Sequence, residues 1–593
     1  MITKDFYKLL DKELDIILDK YKDDSFLKKH KKNSHNQKSY ALLIWFLEFY
    51  AKLTNYTQYI TDGENDSSCD IIFDKKDNFG NNIFYIVQSK WNNEDNVEKE
   101  TSKDEILKTL QEFEILLRGE KRNINEKLKS KLEQFYEHLK NNGEVKFIFL
   151  SLANYEGKAD ENIISFQNKH EKTKFEIIDI NRIKLDFIDR RYKKIDPINP
   201  LENYQNPEEL KIILEVEKNI NKNANFIKIE RPFEAYVFLL RPKIIYELFD
   251  KYGFFLFHKN VRNPLLQSQF NHDIEKTAIE NPSYFWYYNN GLTAIASYLP
   301  TIRNQAQKVE VSGLQIINGA QTVYSIYKAY KEASIIKREQ MDSEILLTLR
   351  LMKSGGKDFD LKVTRFTNSQ NPVEERDFYA NDEIQIELQK SSFKTKYWYE
   401  KRKDEFREVP EGIKVIPNYI LTNPYLAFHL QDYLTADKNQ DDSENNLDFI
   451  SYKDNKDGSY EKIFNKNTKF EDMLTSFLIY READLNIIEE YNDFNLSVFL
   501  GINSFLTMYN IIISKYLYAK FSEKINVNKY ILDLIERNDL TLIKKIPYYL
   551  DIYFQKYYNI NKYNLNLSNI EEKTKLALQD TKILPEDIDN IEI

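Results

Sequence analysis

Residues 60–91 read ITDGENDSSCDIIFDKKDNFGNNIFYIVQSKW. A turn-rich opening gives way to two short β-rich runs, SCDIIF at 68–73 and IFYIVQSKW at 83–91. The Asp/Asn/Gly segment KKDNFGNN divides them, which suits a hairpin. Side chains alternate along a strand, so Gln88 and Lys90 share one face of the second run, and the hairpin brings Asp70 to their side. A lysine inside an otherwise apolar strand costs burial energy unless it is paired or used. Asp70, Gln88 and Lys90 are therefore a candidate site.

Before this stretch, residues 38–53 carry Leu42, Leu43, Phe46, Phe49 and Tyr50 at helical spacing. After it, Thr101–Leu117 reads as a helix with Ser102 or Thr101 as N-cap, and 145–152 (VKFIFLSL) and 175–180 read as buried strands. The order is helix, strands, helix, strand, an α/β unit over 1–195. Pro, Asn and acids collect at 195–208, placing a linker at 196–214. Residues 215–415 mix strand-like and helical segments, an α+β pattern. Residues 416–593 are mainly helical, as in Tyr530–Tyr558, and 436–447 (ADKNQDDSENNL) reads as an exposed loop.

The chain has 593 residues, several times the usual domain size, with 42% hydrophobic and 30% charged residues, so two to four cored units are expected. The longest apolar stretch, 41–49, is interrupted by Glu48 and too short for about 30 Å of hydrocarbon. No membrane partner is expected, and Met1–Lys20 reads as an amphipathic helix rather than a secretory signal, so the expected location is the cytoplasm. The lone Cys69 excludes intrachain disulfides and cysteine-based zinc sites. A formal charge of −9 excludes whole-surface attraction to phosphate and leaves that work to local patches, such as 28–38 (KKHKKNSHNQK) and 394–403 (KTKYWYEKRK). In the second patch Tyr397, Trp398 and Tyr399 are candidates for base stacking or for a core cluster. No G-x-x-x-x-G-K-[ST] loop is written: Ser354–Gly355–Gly356–Lys357 lacks the spacing.

Phosphodiester hydrolysis needs a cation to screen the phosphate, an activated water and a positive group near the developing charge. Asp70, Gln88 and Lys90 suit that chemistry with Mg²⁺ or Mn²⁺ as the expected ion. Glu48 on the preceding helix offers a second carboxylate, and Asp62, Asn65 and Asp66 crowd the loop before Asp70. The whole stretch resembles the Mrr-like restriction endonuclease fold of the PD-(D/E)XK type. That resemblance implies that Asp70 and Gln88 hold the metal, that Lys90 positions the water or stabilises the phosphorane-like charge, and that Glu48 assists. Gln88 stands where Glu is commoner, which places more demand on Asp70 and Glu48.

Further stretches stand out: LFHKNVRNPL at 256–265, FWYYNNGLTAIA at 285–296, LQIINGAQTVYSIYKA at 314–329, RFTNSQNPV at 365–373 and KYWYEKRKDEF at 396–406. Together they resemble AIPR, the abortive phage infection protein family, over residues 40–410. The resemblance implies a bacterial anti-phage defence protein with a nuclease-like front. The stretch at 314–329 reads as strand, Asn318–Gly319 turn and helix, with Gln321 and Thr322 in the first helical turn. It is similar to the D-G-x-x-R segment of ParB-like and DndB-like domains, but Asn318 replaces the Asp and the Arg is missing; nucleotide binding and a plain Asn-Gly turn both remain open. Asn289, Asn290, Asn368, Gln370 and Asn371 both donate and accept, which suits base edges or backbone carbonyls, and with Asn260 and Arg262 they would form a polar cleft if these loops meet; each Asn singly also reads as a turn residue. Arg262 and Arg365 offer planar forks for phosphate.

The expected protein is thus a metal-dependent endonuclease of multidomain α/β plus α architecture: a restriction-endonuclease-like front, a central α+β domain and a helical C-terminal region. Its expected partner is nucleic acid, DNA before RNA, with a nucleotide or phage-derived trigger as a further candidate ligand. One site per chain cutting both strands requires two chains or two successive nicks, which favours a homodimer. A second reading makes the chain a nucleic-acid or nucleotide-binding sensor with a degenerate nuclease front. A third makes it an interaction protein assembling through its helical C-terminus.

Overall fold

In the computed structural model the described residues are 3–63, 68–76, 82–120, 125–194, 201, 211–218, 224–257, 259–260, 269–368, 379–402, 405–441, 459–490, 501–521, 524–558 and 570–591. The chain is a mixed α/β protein that divides into two units, Met1–Gln370 with Phe406–Val409, and Asn371–Glu405 with Pro410–Ile593. The expected linker at 196–214 falls mostly outside the described residues.

The first unit begins with the amphipathic helix Thr3–Lys20, which buries Phe6, Tyr7, Leu10, Leu14 and Ile17. The helix Ser34–Phe46 follows and runs into one π turn, Leu47–Ala51. Four strands form the first sheet in the order β1-β2-β3-β4: β1 Ile71–Lys76, β2 Asn82–Lys90, β3 Glu144–Ser151 and β4 Thr173–Ile178. β1 and β2 are antiparallel, pairing Ile71 with Val87, whereas β2–β3 and β3–β4 are parallel. Parallel neighbours need crossovers, and helices supply them. Lys103–Leu117 and Glu126–Lys140 lie between β2 and β3, and Asp160–Lys169 lies between β3 and β4.

Phe84, Ile86, Val145, Phe147 and Phe149 share a core with Phe113 and Phe135 of those helices; Phe113 stacks on Phe147 at 4.2 Å. Burying each such ring contributes roughly 1.5–3 kcal/mol. By alternation the same face of β2, one and two pairs further on, carries Gln88 and Lys90. Ser102 caps the helix Lys103–Leu117 by accepting the Glu105 amide at 3.2 Å, which decides between the two expected caps.

On the π turn, Tyr50 is fully buried and donates to the Asp186 carboxylate at 2.9 Å. Arg182 pairs with the same carboxylate at 2.7 Å. Burial nevertheless raises the Asp186 pKa from 3.8 to about 6, against the opposing pull of Arg182 and Tyr50. The folded chain therefore binds a proton between those values that the unfolded chain has released. The group's contribution to stability is present at the acid end of that window and is lost as pH rises through about 6. Thermal melts of wild type should fall relative to Asp186→Asn as pH rises across the window; parallel profiles would show that the carboxyl titrates normally.

The second sheet has the order β10-β8-β11-β7-β6: β6 Ile227–Ile229, β7 Ala235–Leu240, β8 Leu292–Ala296, β10 Gln315–Asn318 and β11 Leu347–Lys353. β5 Lys211–Glu215 and β9 Lys308–Ser312 pair separately. One face of the five-stranded sheet is packed: Phe238, Leu292, Leu349 and Leu351 share a core with Leu248 of the helix Pro242–Tyr252 and Val323 and Ile326 of the helix Ala320–Glu332.

The second unit is mainly helical, with β12 Tyr397–Glu400 and β13 Lys414–Pro417 paired in parallel. Phe470–Glu490, Ile502–Lys520 and Thr541–Tyr558 are its longest helices, and Met473, Phe505, Leu506 and Leu550 belong to its core. The expected loop at 436–447 begins instead on a helix, Tyr433–Asp441, with Ala436 buried; the rest lies outside the described residues. Among the described residues no helix is long and apolar enough to cross a membrane.

Candidate functional site

The hairpin sets the first site. Asp70 precedes β1, and its amide donates to the Val87 carbonyl at 2.9 Å. That bond holds Asp70 beside the Val87–Ser89 end of β2. Asp70 and Gln88 are both buried, and the Gln88 amide nitrogen donates to Asp70 Oδ2 at 2.8 Å. The Ser89 amide donates to the same oxygen. The Gln88 nitrogen is thereby fixed against an acceptor, and its carbonyl oxygen receives no protein donor among the described residues. Lys90, half-buried and roughly 6.6 Å further along the strand, makes no side-chain hydrogen bond or ion pair among the described residues. Asp70, Gln88 and Lys90 are thus brought together on one face.

Glu48 stands apart. Its carboxylate accepts from Lys20 Nζ at 2.7 Å and from the Tyr21 hydroxyl at 2.6 Å, and no described bond joins it to Asp70 or Gln88. Asp62 does approach: its amide donates to the Asp70 carbonyl at 3.1 Å. Asn65 and Asp66 lie outside the described residues. Among the described residues no group of three His, Cys, Asp or Glu side chains could hold a metal ion. The donor set is therefore one carboxylate and one amide oxygen, which fits a hard divalent ion that keeps several of its waters.

The Gln88–Asp70 bond makes Gln88→Glu informative. Two carboxylates at that separation repel, so the variant should melt below wild type in EDTA and recover on adding Mn²⁺. Identical melts under both conditions would argue against an ion between these residues.

A second polar cluster surrounds the start of the helix Ala320–Glu332. Gly319 caps it at φ 95°, with no side-chain cap. The Asn289 side chain donates to Thr322 Oγ1 at 3.0 Å and accepts the Gly291 amide at 2.9 Å. Asn318 Nδ2 donates to the Thr367 carbonyl at 2.7 Å, tying β10 to the helix Lys357–Asn368. Asn260 is buried and donates to the Ile316 carbonyl at 3.1 Å. It braces the sheet rather than lining a cleft. Asn290 is exposed and Gln321 half-exposed. Arg262, Gln370 and Asn371, and the side chains of Arg365 and Asn368, lie outside the described residues.

Of the two roles open to Trp398 and Tyr399, the core cluster is the one the structure shows: both are fully buried in the second unit. Lys401 and Arg402 beside them are buried as well, Lys401 against Glu405 at 3.7 Å and Arg402 bonded to Asn381. In the 28–38 patch, Lys28 pairs with Asp23 and Lys38 with Asp11 and Asp15. The exposed aromatics lie elsewhere, at Tyr284, Trp286, Tyr287 and Tyr288. Nothing local in the run FWYY announced this exposure, since the helix Ser34–Phe46 buries seven successive residues, Tyr40 to Phe46.

Two sheets, one bearing an Asp/Gln/Lys face and the other an amide-rich helix start, belong to one unit of a mixed α/β protein. The chain belongs to the AIPR family, described as AIPR protein, whose model matches residues 257–565. The family name associates the chain with abortive infection and anti-phage defence. The match begins after the sheet that carries Asp70, Gln88 and Lys90. No curated protein and no solved structure matches the chain.

Proposed function

We propose that the protein is a metal-dependent endonuclease of abortive infection, with Asp70, Gln88 and Lys90 as its site in a restriction-endonuclease-like front. The observation that carries this reading is the pairing of Asp70 with Gln88 at 2.8 Å, beside a lysine on the same face that no described acid neutralises. The sheet supports it: an antiparallel hairpin followed by parallel strands joined through helices is the frame on which such sites are built.

Asp70 and the Gln88 carbonyl would hold Mg²⁺ or Mn²⁺, which supplies Lewis acidity to the phosphate and acidifies a bound water. The Ser89 amide and the Gln88 side chain donate to Asp70 and fix its carboxylate in place. Lys90, with its ammonium unspent, meets the charge that grows on the phosphate as the bond breaks. Glu48, engaged by Lys20 and Tyr21, stabilises the helix rather than the ion in this arrangement. DNA is the favoured substrate. The reading as a binding module with a degenerate front has one observation in its favour: the Gln88–Asp70 bond satisfies the carboxylate without an ion.

The test incubates purified full-length protein with plasmid DNA or single-stranded RNA in Mg²⁺, Mn²⁺ or EDTA, beside Asp70→Ala. Cleavage that needs metal and is lost in the variant supports the nuclease and names its substrate. If wild type and variant are equally inert, with phage lysate added as a source of trigger, the nuclease reading falls.

A further inference from the structure

Four aromatic residues lie exposed within the five-residue segment 284–288, on the far side of the second sheet from its helical core. Tyr287 and Tyr288 are 75% and 71% exposed, and Tyr284 and Trp286 about half. Only Phe285, between them, enters the core. An apolar residue exposed singly needs no explanation, but rings crowded in this way mark a binding surface. The Tyr284 and Tyr288 rings stack 5.8 Å apart at 17°, and Trp286 meets Tyr287 edge-on.

The ledge is anchored to the sheet. The Trp286 indole N–H donates to Thr348 Oγ1 at 3.1 Å, on β11. Leu347, Leu349 and Leu351 of that strand face the core, so Thr348 and Arg350 lie on the opposite face, beside the tryptophan. Arg350 is exposed and makes no ion pair or hydrogen bond among the described residues. Rings with free faces beside an unpaired guanidinium match a chain of bases joined by phosphates: the rings stack bases whatever their sequence, and the guanidinium takes a phosphate.

We infer that this ledge binds single-stranded nucleic acid. The site is separate from the Asp70 hairpin and needs no metal, so it is tested without cleavage. Short oligo(dT) and oligo(rU) are titrated in EDTA into full-length protein, with tryptophan fluorescence and anisotropy as readouts. Tyr287→Ala and Trp286→Ala should each weaken binding roughly tenfold or more. Arg350→Ala should make the dependence of log affinity on log salt shallower by about 0.7. EDTA silences the metal-dependent site, so a failed nuclease and a failed ledge give different results. Tyr287 is almost fully solvated, so its removal leaves the fold intact, checked by circular dichroism. Unchanged oligonucleotide affinity in the ledge variants overturns the inference, as does a change in the solution mass of wild type against Tyr287→Ala without a change in oligonucleotide binding, which would make the ledge a protein interface.

Discussion

Lys90→Ala should lower metal-dependent cleavage by about 10²–10³-fold or more while leaving the melting temperature of the protein within about 2 °C of wild type. The two halves of this expectation have one cause. Lys90 spends its ammonium on no described partner, so truncation removes no bond from the folded state. Lys90 ends a strand otherwise buried from Ile83 to Gln88 but is itself only half-buried. Lys90→Arg should recover little, because the planar fork cannot take the place of a compact ammonium on a strand this close to Asp70. Cleavage by Lys90→Ala equal to that of wild type would remove the lysine from the chemistry and with it the case for this site.

The second large effect concerns stability. Gly291 and Gly319 have φ of 75° and 95°, where L side chains are strained. A Cβ at Gly291 would sit 2.5 Å from the Thr348 carbonyl oxygen, a backbone atom that cannot swing away. At Gly319 the Cβ would lie 2.6 Å from Leu292 Cδ2 and 2.9 Å from the Gly291 carbonyl oxygen. The two turns are therefore packed into one another at the edge where β8 meets β10 and β11. Gly291→Ala should cost about 2–5 kcal/mol, summing backbone strain and overpacking. Gly319→Ala should cost somewhat less, since one of its contacts is a side chain. Denaturant unfolding measures both, and a Gly291→Ala protein as stable as wild type would show that the turn can relax.

The hairpin was legible because alternation and turn chemistry agree there: the Asp/Asn/Gly segment stands between two β-branched runs, and the face that carries Phe84 and Ile86 continues into Gln88 and Lys90. The strand–turn–helix at 314–329 was legible for the same reason, as an Asn-Gly pair between apolar runs of different period. Helices Glu126–Lys140 and Asp160–Lys169 escaped the reading. The first carries only Leu128, Leu132 and Phe135 as its buried stripe among lysines and glutamates, a thin signal beside the dense apolar strand that follows. Glu48 looked available because its helix precedes the hairpin, but pairing with Lys20 and Tyr21 depends on the packing of Thr3–Lys20 on Ser34–Phe46, which no local pattern encodes. KYWYE could not be placed either: period-two alternation exposes one face only when the other packs, and both faces of this short strand are covered, whereas FWYY on a helix spills outward.

Cys69 offers a means of watching the hairpin move. It is the one cysteine in the sequence, fully buried, and immediately precedes Asp70. A thiol reagent can reach it only when the start of β1 comes away from the sheet, so the labelling rate of the unmodified protein is a clock for that opening. If a divalent ion bridges Asp70 and Gln88, the clock slows in Mn²⁺ and keeps its pace in EDTA, which lets occupancy of the site be followed before any substrate is known.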